Sequence, residues 1–241
     1  MRRIAVVTGA SRGVGCAIAD ALAGAGVTVA RVARSAGDYR ADISQPEDVA
    51  RLAREIRHDL GVPTILVNAA GVFGPIALLK DGDPRAWLDT IAIDLGGPYL
   101  CCRTFLPGML ETGWGRIVNV SSAATLHPPG AFNSAYGTAK VALNQLTRHL
   151  AAEIAGSGVT ANVIHPGDVK TEMWADIRSQ VASVEGADAC RDWVEWVGST
   201  GGDPPEKAGE LVLRILESDA NGRFLWIEEP LQQPIASWDV P

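Results

Sequence analysis

The chain has 241 residues, enough for one large α/β domain or two small ones around a substantial core; 47% of it is apolar, with 26 glycines and 14 prolines. Its formal charge of -7 and pI near 5.1 exclude the basic face that nucleic acid or anionic lipid requires, so a small-molecule ligand is the default partner. The cysteines (Cys16, Cys101, Cys102, Cys190) and histidines (His58, His127, His149, His165) have no metal-ligand spacing, so no metal is expected and the cysteines read as small buried hydrophobes.

Arg2 and Arg3 precede an apolar run, Ile4 to Val7, that is shorter than the roughly 7–15 residues of a secretion signal. No segment approaches the roughly 18 apolar residues of a membrane span. A soluble, cytoplasmic protein is expected. "RRIAVV" reads as a strand and "VGCAIADALAGAG" as a helix with Val14, Ile18 and Leu22 on one stripe. "VTVARVA" is the next strand. The helix expected after it is nearly missing, because "RSAGDYRADIS" runs into "QPEDVARLAREIRHDLG", whose start carries Ser44 as N-cap and Glu47 as capping-box partner.

"TILVNAAG" is a strand and turn. Asp83-Pro84 opens a helix bearing Trp87, Ile91 and Leu95 and running towards Met109. "GRIVNVSS" is a strand, and "NSAYGTAKVALNQLTRHLAAEIAG" a helix with Leu143, Leu146, Leu150 and Ile154 on one face. "GVTANVIHPG" and "GRFLWIE" are the last strands, separated by about fifty less regular residues and the helix "PPEKAGELVLRILES". Apolar strands alternating with helices predict an α/β fold: one Rossmann-like, doubly wound parallel sheet with helices on both faces, as a single domain over residues 1–241.

Two features carry chemistry. "TGASRGVG" places Gly9, Gly13 and Gly15 where a strand passes into a helix, and a turn of that kind lets backbone approach a pyrophosphate that helix amides can bind. "SAYGTAK" places Tyr136 and Lys140 at i and i+4, so their Cβ atoms lie roughly 5–6 Å apart on one helix face. A phenol titrates near ~10, and a neighbouring ammonium lowers that value, so the pair forms a possible acid/base device.

These motifs, together with "NAAG" at 68–71, "NVSS" at 119–122 and "HPGDVKT" at 165–171, resemble in order and spacing those of the short-chain dehydrogenase/reductase family in its short single-domain form. The resemblance implies an oxidoreductase that moves a hydride between a nicotinamide cofactor and a carbonyl or secondary alcohol. By that resemblance Gly9, Ser11, Arg12, Gly13, Val14 and Gly15 wrap the cofactor phosphates, Asp42 and Ile43 hold the adenine, and Asn68, Ala70 and Gly71 line the ribose side and support the sheet. Pro166, Gly167, Val169 and Thr171 contact the nicotinamide carboxamide. Ser122 bonds the substrate oxygen, Tyr136 gives or takes its proton, and Lys140 holds the ribose and lowers the phenol's pKa, helped by the charge of oxidised nicotinamide.

Several points stay open in the sequence. Ser121 competes with Ser122. The second strand ends at Ala33 and Arg34 without the carboxylate that binds the NAD ribose, and Arg12 adds a second cation, so NADP(H) is favoured over NAD(H). The counter-reading has Arg34 solvated and Asp38 reaching back to the ribose. Where the family has an asparagine, this chain has Asp94, which either serves proton relay, pairs with Lys140 or simply bonds a loop. Residues 168–203 form the expected lid, and its Trp174, Trp193 and Trp196 indicate either an apolar or aromatic substrate or packing of the lid itself. His127 is expected at the pocket rim. A catalytically silent nucleotide-binding regulator is the rival class, and its loss of Ser122, Tyr136 or Lys140 would be the sign. The resemblance further implies a homodimer or homotetramer paired through helices about 84–110 and 134–156, with the tail "PLQQPIASWDVP" reaching a neighbouring subunit.

Overall fold

The computed structural model describes residues 3–126 and 130–227, so His127 and the tail from residue 230 onward lie outside the described residues. Seven parallel strands form one sheet in the order β3-β2-β1-β4-β5-β6-β7. They are β1 (Ile4–Thr8), β2 (Thr28–Ala33), β3 (Tyr39–Arg40), β4 (Ile65–Asn68), β5 (Gly115–Val120), β6 (Val159–His165) and β7 (Phe224–Trp226). Every residue of β1, β4 and β5 is buried, as strands covered on both faces must be.

One face is closed by α1 (Gly13–Gly24) and α8 (Glu206–Leu216), where Ile18, Leu22, Leu211 and Ile215 meet Val7, Val67 and Val118. The other is closed by α2 (Pro46–Asp59), α4 (Gly97–Thr112) and α5 (Ser134–Glu153), with Leu52, Ile56, Phe105 and Met109 against Val6, Leu66 and Ile117.

Local details depart from the sequence expectations. The connection after β2 forms the short edge strand β3, which adds to β2 through Val32 and Ala33. The N-cap of α2 is Gln45, without a side-chain cap bond. Ser44 instead donates to Asp42 Oδ1, at 2.7 Å from its hydroxyl, so the capping box does not form. Residues 168–203 are not irregular: they contain α6 (Glu172–Val181) and α7 (Asp188–Thr200).

The long helix after Asp83 is also broken, into α3 (Pro84–Ile91), a π-turn (Ala92–Gly96) and α4. Pro98 explains the break, since it has no N–H to give the carbonyl four residues back, that of Asp94, and its ring crowds that carbonyl. A wider turn relieves the clash and aims the Asp94 side chain inward, where it is 0% exposed.

A buried polar chain fixes α5 against the sheet. Asn68 Nδ2 donates to Asn119 Oδ1 at 2.7 Å, Asn119 Nδ2 donates to Thr147 Oγ1 at 2.8 Å, and Thr147 donates to the Leu143 carbonyl at 2.7 Å. These bonds run without a break from β4 through β5 to α5 and lock the three in one register. Their sequence signal was an asparagine inside each of two apolar strands.

Candidate active site

A cleft of about 860 Å³ opens at the carboxyl ends of the central strands, where ligands sit in sheets of this kind. Its floor is the turn between β1 and α1. Gly9 has φ +68°, and a Cβ there would stand 2.7 Å from the Ala70 backbone, so only glycine lets the turn pass under the loop after β4. Thr8 Oγ1 accepts the N–H groups of Ala69 and Ala70 at 3.2 Å, pinning that loop from the other side. The N-cap of α1 is Arg12, with no side-chain cap and no acidic residue in the first turn, so the helix amides remain available to an anion. This floor fits a dinucleotide pyrophosphate.

Gly9, Ser11, Arg12, Gly13, Val14, Gly15, Arg34, Asp42, Ile43, Ala70, Gly71, Tyr136, Lys140, Pro166 and Thr171 all border the cleft. Of the implied residues, Ser122, Asn68, Gly167 and Val169 do not. Asn68 is 1% exposed and spends its amide on Asn119 and Cys102. Gly167 packs on Ile227 and Asp203, and Val169 is 8% exposed and bridged to Gly202. The latter three support the walls from behind.

At the inner end α5 brings Tyr136 and Lys140 together, the ammonium 5.5 Å from the phenol ring centroid. Lys140 Nζ donates to the Val120 carbonyl at 3.0 Å, and Asp94 Oδ2 faces it at 3.2 Å. Asp94 Oδ1 accepts the Val72 N–H at 2.9 Å. Of the readings open for Asp94, the structure has two at once, the ion pair with Lys140 and the bond to the loop after β4.

The two serines separate clearly. Ser121 borders the cleft, but its hydroxyl turns back to the Lys140 carbonyl at 3.5 Å and the residue is 2% exposed. The Ser122 hydroxyl accepts the Ala124 N–H at 3.1 Å and lies near enough to Tyr136 to favour its phenolate.

The electrostatics act on Tyr136 in both directions. Burial pushes the Tyr136 phenol above its ordinary value; Lys140 and Ser122 pull it down, while Asp94 and Asp168 push it further up. Without cofactor the net direction is upward, because desolvation and the Asp94 carboxylate together exceed what one ammonium supplies. Burial works against the Lys140 ammonium, but Asp94 and Tyr136 more than restore it and its pKa is raised. Burial likewise raises Asp94, partly offset by Lys140 and the Val72 N–H.

The lid tryptophans do not border the cleft. Trp174 is 6% exposed among Ile76, Ile177, Val181 and Val197, and its indole donates to the Val194 carbonyl at 3.2 Å. Trp193 donates to Asp168 Oδ1 at 2.9 Å, and Trp196 is half exposed. Trp174 and Trp193 pack within the lid, and Trp196 stands at its surface. The aromatic residue at the reacting end is Phe73, which sequence reasoning passed over; its ring centroid lies 4.8 Å from that of Tyr136. Met173, Glu172, Asp176 and Gln180 of α6 complete the outer wall.

The sequence profile described as "short chain dehydrogenase" matches residues 3–182. The chain belongs to the short-chain dehydrogenase family. It is 34% identical over 94% of its length to D-beta-hydroxybutyrate dehydrogenase of Cupriavidus necator, covering 87% of that protein. It is 36% identical over 76% of its length to acetoacetyl-CoA reductase of Allochromatium vinosum, covering 83% of that protein. Among solved structures, that of the KRED1-Pglu enzyme superposes with a TM-score of 0.84 at 30% identity, covering 92% of this chain and 100% of that one. As a family member it is an NAD(P)-dependent oxidoreductase acting on CH–OH and C=O groups of small molecules. No helix among the described residues is long and apolar enough to cross a membrane.

Proposed function

We propose that this enzyme interconverts a ketone and a secondary alcohol with NADP(H), using Tyr136 as general acid and base. The observation that carries this reading is the meeting of Tyr136 and Lys140 beside the glycine turn, in one cleft at the ends of β1, β4 and β5, with Ser122 near enough to act on the phenol. When bound, the nicotinamide supplies or accepts the hydride. The Ser122 hydroxyl, near the Tyr136 phenol, orients a substrate oxygen against it. Tyr136 then gives its proton to the carbonyl oxygen in reduction, or takes the alcohol proton in oxidation. Lys140 donates to the Val120 carbonyl and faces Asp94 at 3.2 Å, which leaves donor capacity on its ammonium to hold the cofactor ribose.

Arg12 and Arg34 both border the cleft and support NADP(H), since two guanidiniums suit a ribose phosphate. Against the counter-reading, Asp38 does not border the cleft and its Oδ2 accepts the Arg31 N–H at 3.2 Å. Phe73, Val72, Ile93 and Met173 border the cleft and support a substrate with an apolar or aromatic group, now on Phe73 rather than on the tryptophans. Exposed Leu88, Tyr99 and Leu110 on α3 and α4 support subunit pairing through those helices. Free cysteines at all four positions support a cytoplasmic setting.

The test is NADPH fluorescence on binding, followed by turnover on a ketone panel. Wild type and Tyr136→Phe should bind NADPH alike, with the variant slower by about 10²–10⁴-fold. Equal turnover in both would overturn the assignment of Tyr136.

A further inference from the structure

Acid/base catalysis by Tyr136 needs the phenol to carry a proton for reduction and to lack one for oxidation. We propose that Asp94 is a positioning residue whose carboxylate, clamped between Val72 and Lys140, keeps Tyr136 protonated and so sets this site toward carbonyl reduction at neutral pH. The inference rests on Tyr136 being the acid/base group.

The clamp is built from separate parts of the fold. The π-turn forced by Pro98 aims Asp94 into the interior, the loop after β4 supplies the Val72 N–H, and α5 supplies Lys140. Gly71 makes room for it: a Cβ there would lie 3.1 Å from Asp94 Oδ2 and 3.4 Å from Lys140 Nζ. Asp94 and Lys140 are 0% and 5% exposed, so solvent screens their charges little.

An unopposed ammonium beside a buried phenol favours the phenolate. Here a carboxylate 3.2 Å from the same ammonium cancels most of its field, and an asparagine would leave it standing. The groups acting on Tyr136 are Lys140 on α5, Asp94 on the π-turn, Ser122 after β5 and Asp168 after β6. Two of the four are acidic, and their sum with burial is upward. The ionisable group acting on Asp94 is Lys140. In reduction the Tyr136 proton goes to the carbonyl oxygen as the carbon receives a hydride from the reduced nicotinamide, and the phenolate left behind is reprotonated from solvent. The reverse step must begin from that phenolate, which the clamp disfavours.

The direct test needs no cofactor. Phenolate absorbance is titrated in wild type and Asp94→Asn, each referenced to the same chain carrying Tyr136→Phe, so that the Tyr136 signal is isolated. Asparagine keeps the oxygen that accepts from Val72 and loses the charge. The Tyr136 phenolate should appear at least about one pH unit lower in Asp94→Asn, the scale of one charge removed a few ångströms away at an effective dielectric of about 20. Asp94→Glu, which disturbs packing but keeps the charge, should stay near wild type. An unchanged or higher midpoint in Asp94→Asn overturns the proposal, as does a Glu variant that behaves like Asn. If Asp94→Asn does not fold, Asp94→Ser takes its place: a lower midpoint supports the proposal and an unchanged or higher one overturns it. Under turnover, the pH above which kcat for reduction declines should move down by about one unit in Asp94→Asn. Full activity of Tyr136→Phe would instead sink the assignment of Tyr136, while the titration still reports what Asp94 does to it.

Discussion

Asp38 accepts a hydrogen bond from the backbone N–H of Arg31, 3.2 Å from N to Oδ2. That contact folds the connection after β2 back on the strand and turns its carboxylate away, leaving Arg34 and Arg12 at the cleft corner where a ribose substituent would lie. Acid there would repel a phosphate, whereas two guanidiniums suit one, as the proposed use of NADP(H) requires.

Arg34→Ala should therefore weaken NADPH by about ten- to a hundredfold, or about 1.4–2.8 kcal/mol, and leave NADH nearly unchanged. Fluorescence titration with both cofactors measures it. A parallel loss of NADH affinity would mean that Arg34 shapes the turn and reads no phosphate.

The two serines should separate in the same way as their hydroxyls do. Ser122→Ala removes the hydroxyl near the Tyr136 phenol and should lower kcat about 10²-fold or more, the scale of losing one oriented donor at a reacting oxygen. Ser121→Ala removes only a long bond to the Lys140 carbonyl and should leave kcat near wild type. Steady-state kinetics on one ketone decides, and the reverse order of effects would transfer the role to Ser121.

Gly9→Ala puts a methyl group 2.7 Å from the Ala70 backbone at φ +68°. Neither side can yield cheaply, since both are main chain. A loss of about 2–3 kcal/mol or more is expected, read as a lower denaturant midpoint, together with loss of NADPH binding.

In the lid, Trp174→Ala should cost about 3–5 kcal/mol, because a buried indole and its bond to Val194 are lost. Trp196→Ala, at a half-exposed position, should stay within about 0.5 kcal/mol. Thermal melts of the two variants test the claim that Trp174 serves packing while Trp196 stands at the lid surface. A large loss of substrate affinity in Trp196→Ala with unchanged stability would contradict it.

Alkaline pH should weaken the fold through Tyr39. Burial first, then its hydrogen bond to Asp59 at 3.1 Å, push this phenol up to about 12. Unfolded, it titrates near ~10. The folded state thus holds a proton that the unfolded chain releases, so the contribution is intact below pH ~10 and is lost as pH rises toward ~12. Tyr39→Phe should flatten that part of the stability profile, measured as denaturant midpoint against pH; an identical slope in both proteins refutes the assignment.

The strand and helix pattern, the glycine turn and the Tyr136–Lys140 spacing were legible in the sequence because each is a local property. Periodicity needs only neighbours along the chain, and a pair at i and i+4 shares a face wherever the helix goes. The apolar strands likewise announced a sheet covered on both sides. Edge strand β3 escaped notice because two residues carry no period, and the π-turn because its cause, Pro98, acts on a residue four positions back. The paired helices of the lid were hidden in a stretch whose apolar residues answer to one another and to Ile76, far away in sequence.

What the tertiary structure alone decided is which way side chains face and what charge they feel. Ser121 and Ser122 differ by one position and point into different surroundings, which follows from how β5 meets α5. Asp94 and Lys140 are separated by many turns of chain, yet their 3.2 Å approach sets the direction in which the Tyr136 phenol is shifted. Proton affinity inside a protein depends on burial and on charges within a few ångströms, and those distances exist only after the chain has folded.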